Sequence, residues 1–221
     1  MSDKEILKSD IMNEFIAVRG YVEYLEIGVD MHTNFNKIKC ENKESVDSNP
    51  HTHPTYCMKS DEFWATNDKK YDIICIDGYH RGNQVYRDIA GSLNCLKPNG
   101  LILVHDCLPN GWKNATPEML VGDWTGDVWN GFAAYRPKSQ YRTYTIETDR
   151  GCGIIDTKYG PFDGERTIDY DSLAMKVIEA VKGHCTYLSW DFYNENLKEI
   201  LNPMTFNEFT DLYKDEFVTN S

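Results

Sequence analysis

A chain of 221 residues with 41% apolar and 26% charged residues holds material for one ordinary domain with a modest extension, and its apolar content excludes wholesale disorder. Asp plus Glu is 35 against 23 Lys plus Arg, a formal charge of −12 that repels nucleic-acid phosphates and argues against a nucleic-acid partner. No apolar run reaches the roughly 18 to 20 residues of a membrane span, the charged start Met1-Ser2-Asp3-Lys4-Glu5 lacks a signal-peptide core, and 7 scattered Cys without a CxxC pair fit reduced thiols in a cytoplasmic protein with no membrane partner.

Residues 3–18 carry Ile6, Leu7, Ile11, Phe15, Ile16 and Val18 at helical spacing, ended by Gly20. The β-rich run 21–27 predicts a buried strand closed by Gly28. Residues 44–47 read as a second strand and 55–58 as a third, with a short helix next that Ser60 opens as N-cap, Asp61 and Glu62 in its first turn. The clearest segment is 71–106: an apolar strand 71–76 ending in Asp77-Gly78, a helix over 82–96, a turn at Lys97-Pro98-Asn99-Gly100, and an apolar strand 101–104 ending in His105-Asp106. Two strands apolar throughout, joined by a helix, predict a βαβ unit in a parallel sheet covered on both faces. A long Gly-, Trp- and Asn-rich loop fills 107–131, a length that points to function. Beyond it come a helix over 128–135, a half-exposed strand at 141–146 with a hairpin partner at 153–155, and helices at 171–182, 190–201 and 205–217 that pack on the core or on a second subunit of a homodimer.

Four predicted strands end in, or lead directly into, acids: Glu26, Asp47, Asp77 and Asp106. Ligands of open parallel sheets bind beyond the carboxyl ends of the strands. Acids at four such ends suit a crevice for hydroxyls, a cation, or both. GxGxxG is absent, since the segment from Gly28 to Thr33 has a single Gly, so a pyrophosphate has no helix N-terminus to sit on. A methionine-type cofactor carries no phosphate and does not need one. His51-Thr52-His53 with Cys57 matches no structural zinc spacing.

Glu26-Ile27-Gly28, Ser60-Asp61-Glu62-Phe63-Trp64, the run from Tyr71 to His80, Val85 to Ile89, Leu96 to Gly100 and His105 to Pro109 together resemble the class I S-adenosylmethionine-dependent methyltransferases of the Methyltransf_24 type, related to macrocin-like sugar O-methyltransferases. The resemblance implies a Rossmann-like α/β fold with a mostly parallel seven-stranded sheet flanked by helices, over residues 1–160, and a helical extension over 161–221. It implies that Glu26 and Gly28 line the methionine and ribose end of S-adenosylmethionine, that Asp47 holds the ribose diol, and that Ser60 and Asp61 lie near the adenine. By analogy with catechol-type relatives, Asp77 and Asp106 are candidate ligands of a divalent cation such as Mg or Mn, His105 a further one, and His80, three positions after Asp77, the base, with Asp77 also a catalytic and cofactor-binding candidate. Two departures stand out: His32 replaces a usual Gly, and the link from Asp47 to Thr55 is too short for the usual helix. The expected activity is O-methylation of a sugar, a glycan or another small hydroxylated metabolite, with Trp112, Trp124 and Trp129 as a wall on which a sugar stacks. A non-catalytic cofactor-binding scaffold, and a metal-dependent hydrolase or oxygenase using the His/Asp cluster, are the alternatives.

Overall fold

The two apolar runs become the centre of one sheet. The computed structural model describes residues 5–162 and 188–217. Strands β4 (Tyr71–Ile76) and β5 (Leu96–Val104) pair in parallel, with Ile73 opposite Leu101 and Ile76 opposite Val104. β1 (Glu23–Ile27) lies on the far side of β4, followed outward by β2 (Asn42–Asp47) and β3 (Tyr56–Cys57), all parallel. Past β5 the direction reverses: β7 (Cys152–Asp156) inserts antiparallel between β5 and β6 (Arg142–Ile146). The order is β3-β2-β1-β4-β5-β7-β6-β8. The eighth strand, β8 (Pro203–Met204), is one more than the seven expected; two residues, one of them Pro, carry no period to read.

Helices cover both faces, which is why the central strands read as unbroken apolar runs. Leu25, Ile27, Ile74, Ile76, Ile102 and Val104 face α2 (Ser60–Thr66), α3 (Gly82–Cys95), α4 (Val128–Tyr135) and α5 (Trp190–Leu201), meeting Phe63, Val85, Ile89, Phe132 and Ile200. Tyr24, Ile73, Cys75, Leu101 and Leu103 face the opposite side, against Ile11 and Phe15 of α1 (Lys8–Arg19) and Phe209 of α6 (Phe206–Leu212). Full burial of each such side chain contributes about 1.5–3 kcal/mol. With both faces closed, the carboxyl ends of the strands are left as the place for a ligand.

The helix expected over 205–217 is broken at Tyr213 into α6 and α7 (Lys214–Phe217). Ser60 is the first residue of α2 and not its cap; Lys59 takes the extended N-cap position, and the Ser60 hydroxyl instead accepts from Gln84. The helix expected at 171–182 lies outside the described residues. Among those described after 161, α5 stacks on one face of the sheet and α6 on the other, with β8 between them in the chain.

A buried ion network ties α1 to α7. Arg19 donates from both terminal nitrogens to Asp156 (2.9 and 2.8 Å) and from Nε to Glu216 (2.9 Å), while Tyr213 donates to Asp156 at 2.7 Å. Asp156 is fully buried.

Candidate active site

The loop after β1 is held against the end of β4 by a contact only glycine permits. Gly28 has φ +82°, and a Cβ there would sit 2.3 Å from the Asp77 carbonyl oxygen. His32, where the resemblance expects Gly, takes the left-handed backbone (φ +58°) that Gly adopts freely; its ring packs edge-on against Phe35 and its Nε2 contacts the Thr52 carbonyl. The short link after β2 contains one 3-10 turn, Pro50–Thr52, in place of a helix.

Beyond these strand ends lies a cavity of about 300 Å³, with Lys8, Glu26, Gly28, Asp77, His105 and Asp149 in its wall. Glu26 is buried and accepts from Tyr24 at 2.5 Å. Burial pushes its pKa up to about 7, against the hydrogen bonds from Tyr24 and Asn34. Asp47 lies behind the loop: Oδ2 accepts from Val29 N (3.1 Å) and Oδ1 from Asn49 N (2.8 Å). Each carboxylate oxygen has a second lone-pair site, so these bonds leave acceptor capacity. Ser60 and Asp61 both accept from Gln84 Nε2 at 3.0 Å, and Asp61 also pairs with Arg87 at 3.1 Å. None of Asp47, Ser60 and Asp61 is in the wall of this cavity.

Asp77 and Asp106 converge as adjacent strand ends should, and four cationic or imidazole groups surround them. Lys8 Nζ donates to Asp77 Oδ2, and His105 Nδ1 lies 3.1 Å from Asp77 Oδ1. Arg150 Nε lies 3.0 Å from Asp106 Oδ1. His80 Nε2 lies 3.5 Å from both Asp77 Oδ1 and Asp106 Oδ2. The two acids diverge. Burial favours the neutral form of each, but His105 and Lys8 hold Asp77 well below the usual carboxylate range. Asp106, with no solvent exposure and with Asp77 close by, is raised. Burial also pulls His105 down, and Asp77, Asp149 and Asp106 override it, lifting His105 to about 9.

The loop 107–127 closes over His80. Gly126 (φ +67°) lies so near the His80 carbonyl that a Cβ would come within 2.1 Å, and Asp127 N donates to that carbonyl at 3.3 Å. Trp124 lies across the imidazole, ring centres 5.3 Å apart. Trp112 is exposed, whereas Trp129 is a core residue packed on Tyr193, so it is not part of any acceptor wall. Cys107 is buried, donates to the Val104 carbonyl, and its pKa is raised by burial, which leaves a neutral thiol turned away from the acids. Asp88 serves helix packing: it is buried and accepts from Trp64 and Gln84 at 3.0 Å.

Sequence reasoning missed Lys8, Asp149 and Arg150 as site residues. Lys8 reaches Asp77 across 69 positions, a separation that leaves no local pattern. Asp149 and Arg150 sit in the β6–β7 turn with φ of +47° and +59°, a strained pair in a segment otherwise read as a plain hairpin.

A parallel sheet with one reversed strand inserted beside β5, a first strand closed by Gly28 and acids at the carboxyl ends of β1, β2, β4 and β5 make up the class I S-adenosylmethionine-dependent methyltransferase fold. The match to the family model described as "Methyltransferase domain", the Methyltransf_24 family, spans residues 20–107, from just before β1 to Cys107. Solved structures share the fold. The O-methyltransferase TomG from Streptomyces achromogenes, involved in tomaymycin synthesis and in complex with SAM, is 10% identical over 68% of this chain and 79% of its own, with a TM-score of 0.51. The SAH-bound methyltransferase PaMTH1 from Podospora anserina is 14% identical over 67% and 77%, with a TM-score of 0.53. No curated protein matches the chain. Among the described residues no helix is long and apolar enough to cross a membrane.

Proposed function

We propose that the protein transfers the methyl group of S-adenosylmethionine to a hydroxyl of a sugar or other small hydroxylated metabolite, with His80 as the base. The observation that carries this reading is the setting of His80. Its Nε2 is directed between two carboxylates at 3.5 Å, while its buried Nδ1 has no hydrogen-bond partner among the described residues. Asp77 and Asp106 orient the ring and stabilise the charge that forms on it. Nδ1 offers a lone pair to the acceptor's hydroxyl proton. Transfer at the sulfonium is an in-line displacement, so holding cofactor and acceptor in line supplies much of the rate. Trp124 beside His80 and the exposed Trp112 suit stacking on a sugar face.

Glu26 and Gly28 line the methionine end, Asp47 holds the ribose diol through its spare acceptor sites, and Ser60 and Asp61 approach the adenine. Removing the Asp47 carboxylate strips buried hydroxyls of partners, at about 1–3 kcal/mol. Asp47→Ala is therefore expected to weaken binding of S-adenosylhomocysteine about ten- to a hundredfold by calorimetry. Unchanged affinity would remove Asp47 from the site.

A second reading is favoured by Asp106, whose two carboxylate oxygens are buried with ion-pair neighbours in Arg150 and His80 but with no well-aligned hydrogen bond among the described residues. Donor atoms of Asp77, His80 and Asp106 all lie within 4.8 Å of one another, a spacing that fits a divalent cation. These three would hold it, and it would polarise the acceptor oxygen as a Lewis acid. An imidazole in the set shifts preference from Mg²⁺ toward Mn²⁺, Fe²⁺ or Zn²⁺. Dialysis against EDTA separates the readings. With His80 as base, methyl transfer to a responsive acceptor survives chelation; abolition by EDTA with recovery on Mn²⁺ makes His80 a ligand.

A further inference from the structure

We infer that Lys8 is a specificity-determining residue that binds the α-carboxylate of the cofactor's methionine end, an inference that rests on the cofactor reading above. That end is a zwitterion and needs one negative and one positive partner. The cavity wall supplies acids in Glu26 and Asp77. Its Lys and Arg side chains are Lys8, Lys37 and Arg150, and the further positive group, His105, is already surrounded by Asp77, Asp106 and Asp149.

Two of the three are poorly suited. Lys37 is exposed, where water screens its charge. Arg150 has a side chain 40% exposed, where water screens it, and it already pairs with Asp106 at 3.0 Å and Asp123 at 3.4 Å. Lys8 has a side chain only 11% exposed, and it stands at the cavity between Asp77 and His105, 3.3 Å from the His105 Nδ1. An ammonium has three donors. Asp77 takes one, and at least one more remains for a ligand.

The placement of Lys8 is costly without a ligand role. It is the first residue of α1, where the positive end of the helix dipole disfavours a cation. A buried ammonium also loses hydration. Asp77 has a second positive neighbour in His105, so neutralising that acid does not by itself require Lys8. A local conflict of this kind is expected at a functional position. The lysine is also firmly aimed. Its backbone N–H donates to Asp149 Oδ2 at 2.8 Å, and Thr148 Oγ1 donates to the Ile6 carbonyl at 2.6 Å, clamping the start of α1 onto the β6–β7 turn. Glu26, on the facing strand end, then receives the α-ammonium.

The experiment compares two ligands on the full chain by calorimetry: S-adenosylhomocysteine and its decarboxylated analogue, which keeps the amine and lacks the carboxylate. The wild type is expected to bind S-adenosylhomocysteine about ten- to a hundredfold tighter, the worth of a charge-assisted contact. Lys8→Met is expected to bring the two affinities within about twofold by weakening only the carboxylate-bearing ligand, and Lys8→Arg to keep a reduced preference. Full preference in Lys8→Met overturns the inference, as does a wild type that binds both ligands equally, a result that needs no variant to fold. A wild type that binds neither ligand overturns the cofactor reading itself.

Discussion

His80→Ala is expected to lower methyl transfer by about 10² to 10⁴ while leaving S-adenosylhomocysteine affinity within a few-fold of wild type. The His80 ring contacts the carboxylates and Trp124, and it does not line the cavity whose wall holds Glu26 and Gly28. The loop 107–127 is held to residue 80 through the backbone carbonyl, which survives the substitution. A loss confined to kcat identifies a group acting on the acceptor's proton. A variant that keeps wild-type turnover on the best acceptor removes His80 from the chemistry and leaves Asp77 as the catalytic candidate.

The second large effect is on stability. Arg19→Met should cost about 3–5 kcal/mol, because it leaves the fully buried Asp156 without a cation, while Glu216 keeps Lys158 at 3.1 Å. Urea unfolding of the wild type and variant reads this directly, and a loss under 1 kcal/mol would show that the network contributes little. The same network gives a pH signature. Burial favours the neutral form of Glu216, but Arg19 and Tyr159 outweigh it and hold its pKa near 2, against 4.5 for an ordinary glutamate. A carboxyl group depressed in the folded state binds fewer protons folded than unfolded. Its contribution is complete above about 4.5 and disappears as the pH falls from there toward 2. In Arg19→Met, acid unfolding should lose the part of its slope that belongs to this window.

What could be read from residues alone was whatever has a local cause. Strand 71–76 and the apolar part of its neighbour, 101–104, were legible because burial on both faces leaves no polar alternation to confuse the pattern, whereas the turn expected at 97–100 is the more exposed start of the same strand, Leu96–Val104. The helices at 128–135 and 190–201 match the observed ends, the second because Ser189 caps it and Asn202 closes it in the left-handed region. The acids at the strand ends were legible because register in a parallel sheet brings strand ends together. Lys8, Asp149 and Arg150 were not, since each joins the site across long stretches of chain. Ser60 misled because residue type alone does not separate the cap from the next position: Lys59 has the extended backbone and Ser60 is already helical. Trp129 misled because a tryptophan at the end of a loop and one at the start of a buried helix look alike until Tyr193 is placed against it.

The link from Arg19 to Glu216 also dictates an order of events during synthesis. Arg19 and Phe15 are made well before the acid that completes the ion network, which is encoded 197 positions after Arg19. At about 5–20 residues per second that interval lasts roughly 10–40 s. Throughout it the sheet face that α1 covers lacks Phe209 and Tyr213, so nascent chains present an incompletely sealed apolar surface. Chaperones that capture exposed apolar segments should therefore hold this protein until α6 has been made, and stalled chains ending before α6 should remain protease-sensitive in α1 even though β1, β4 and β5 are already made.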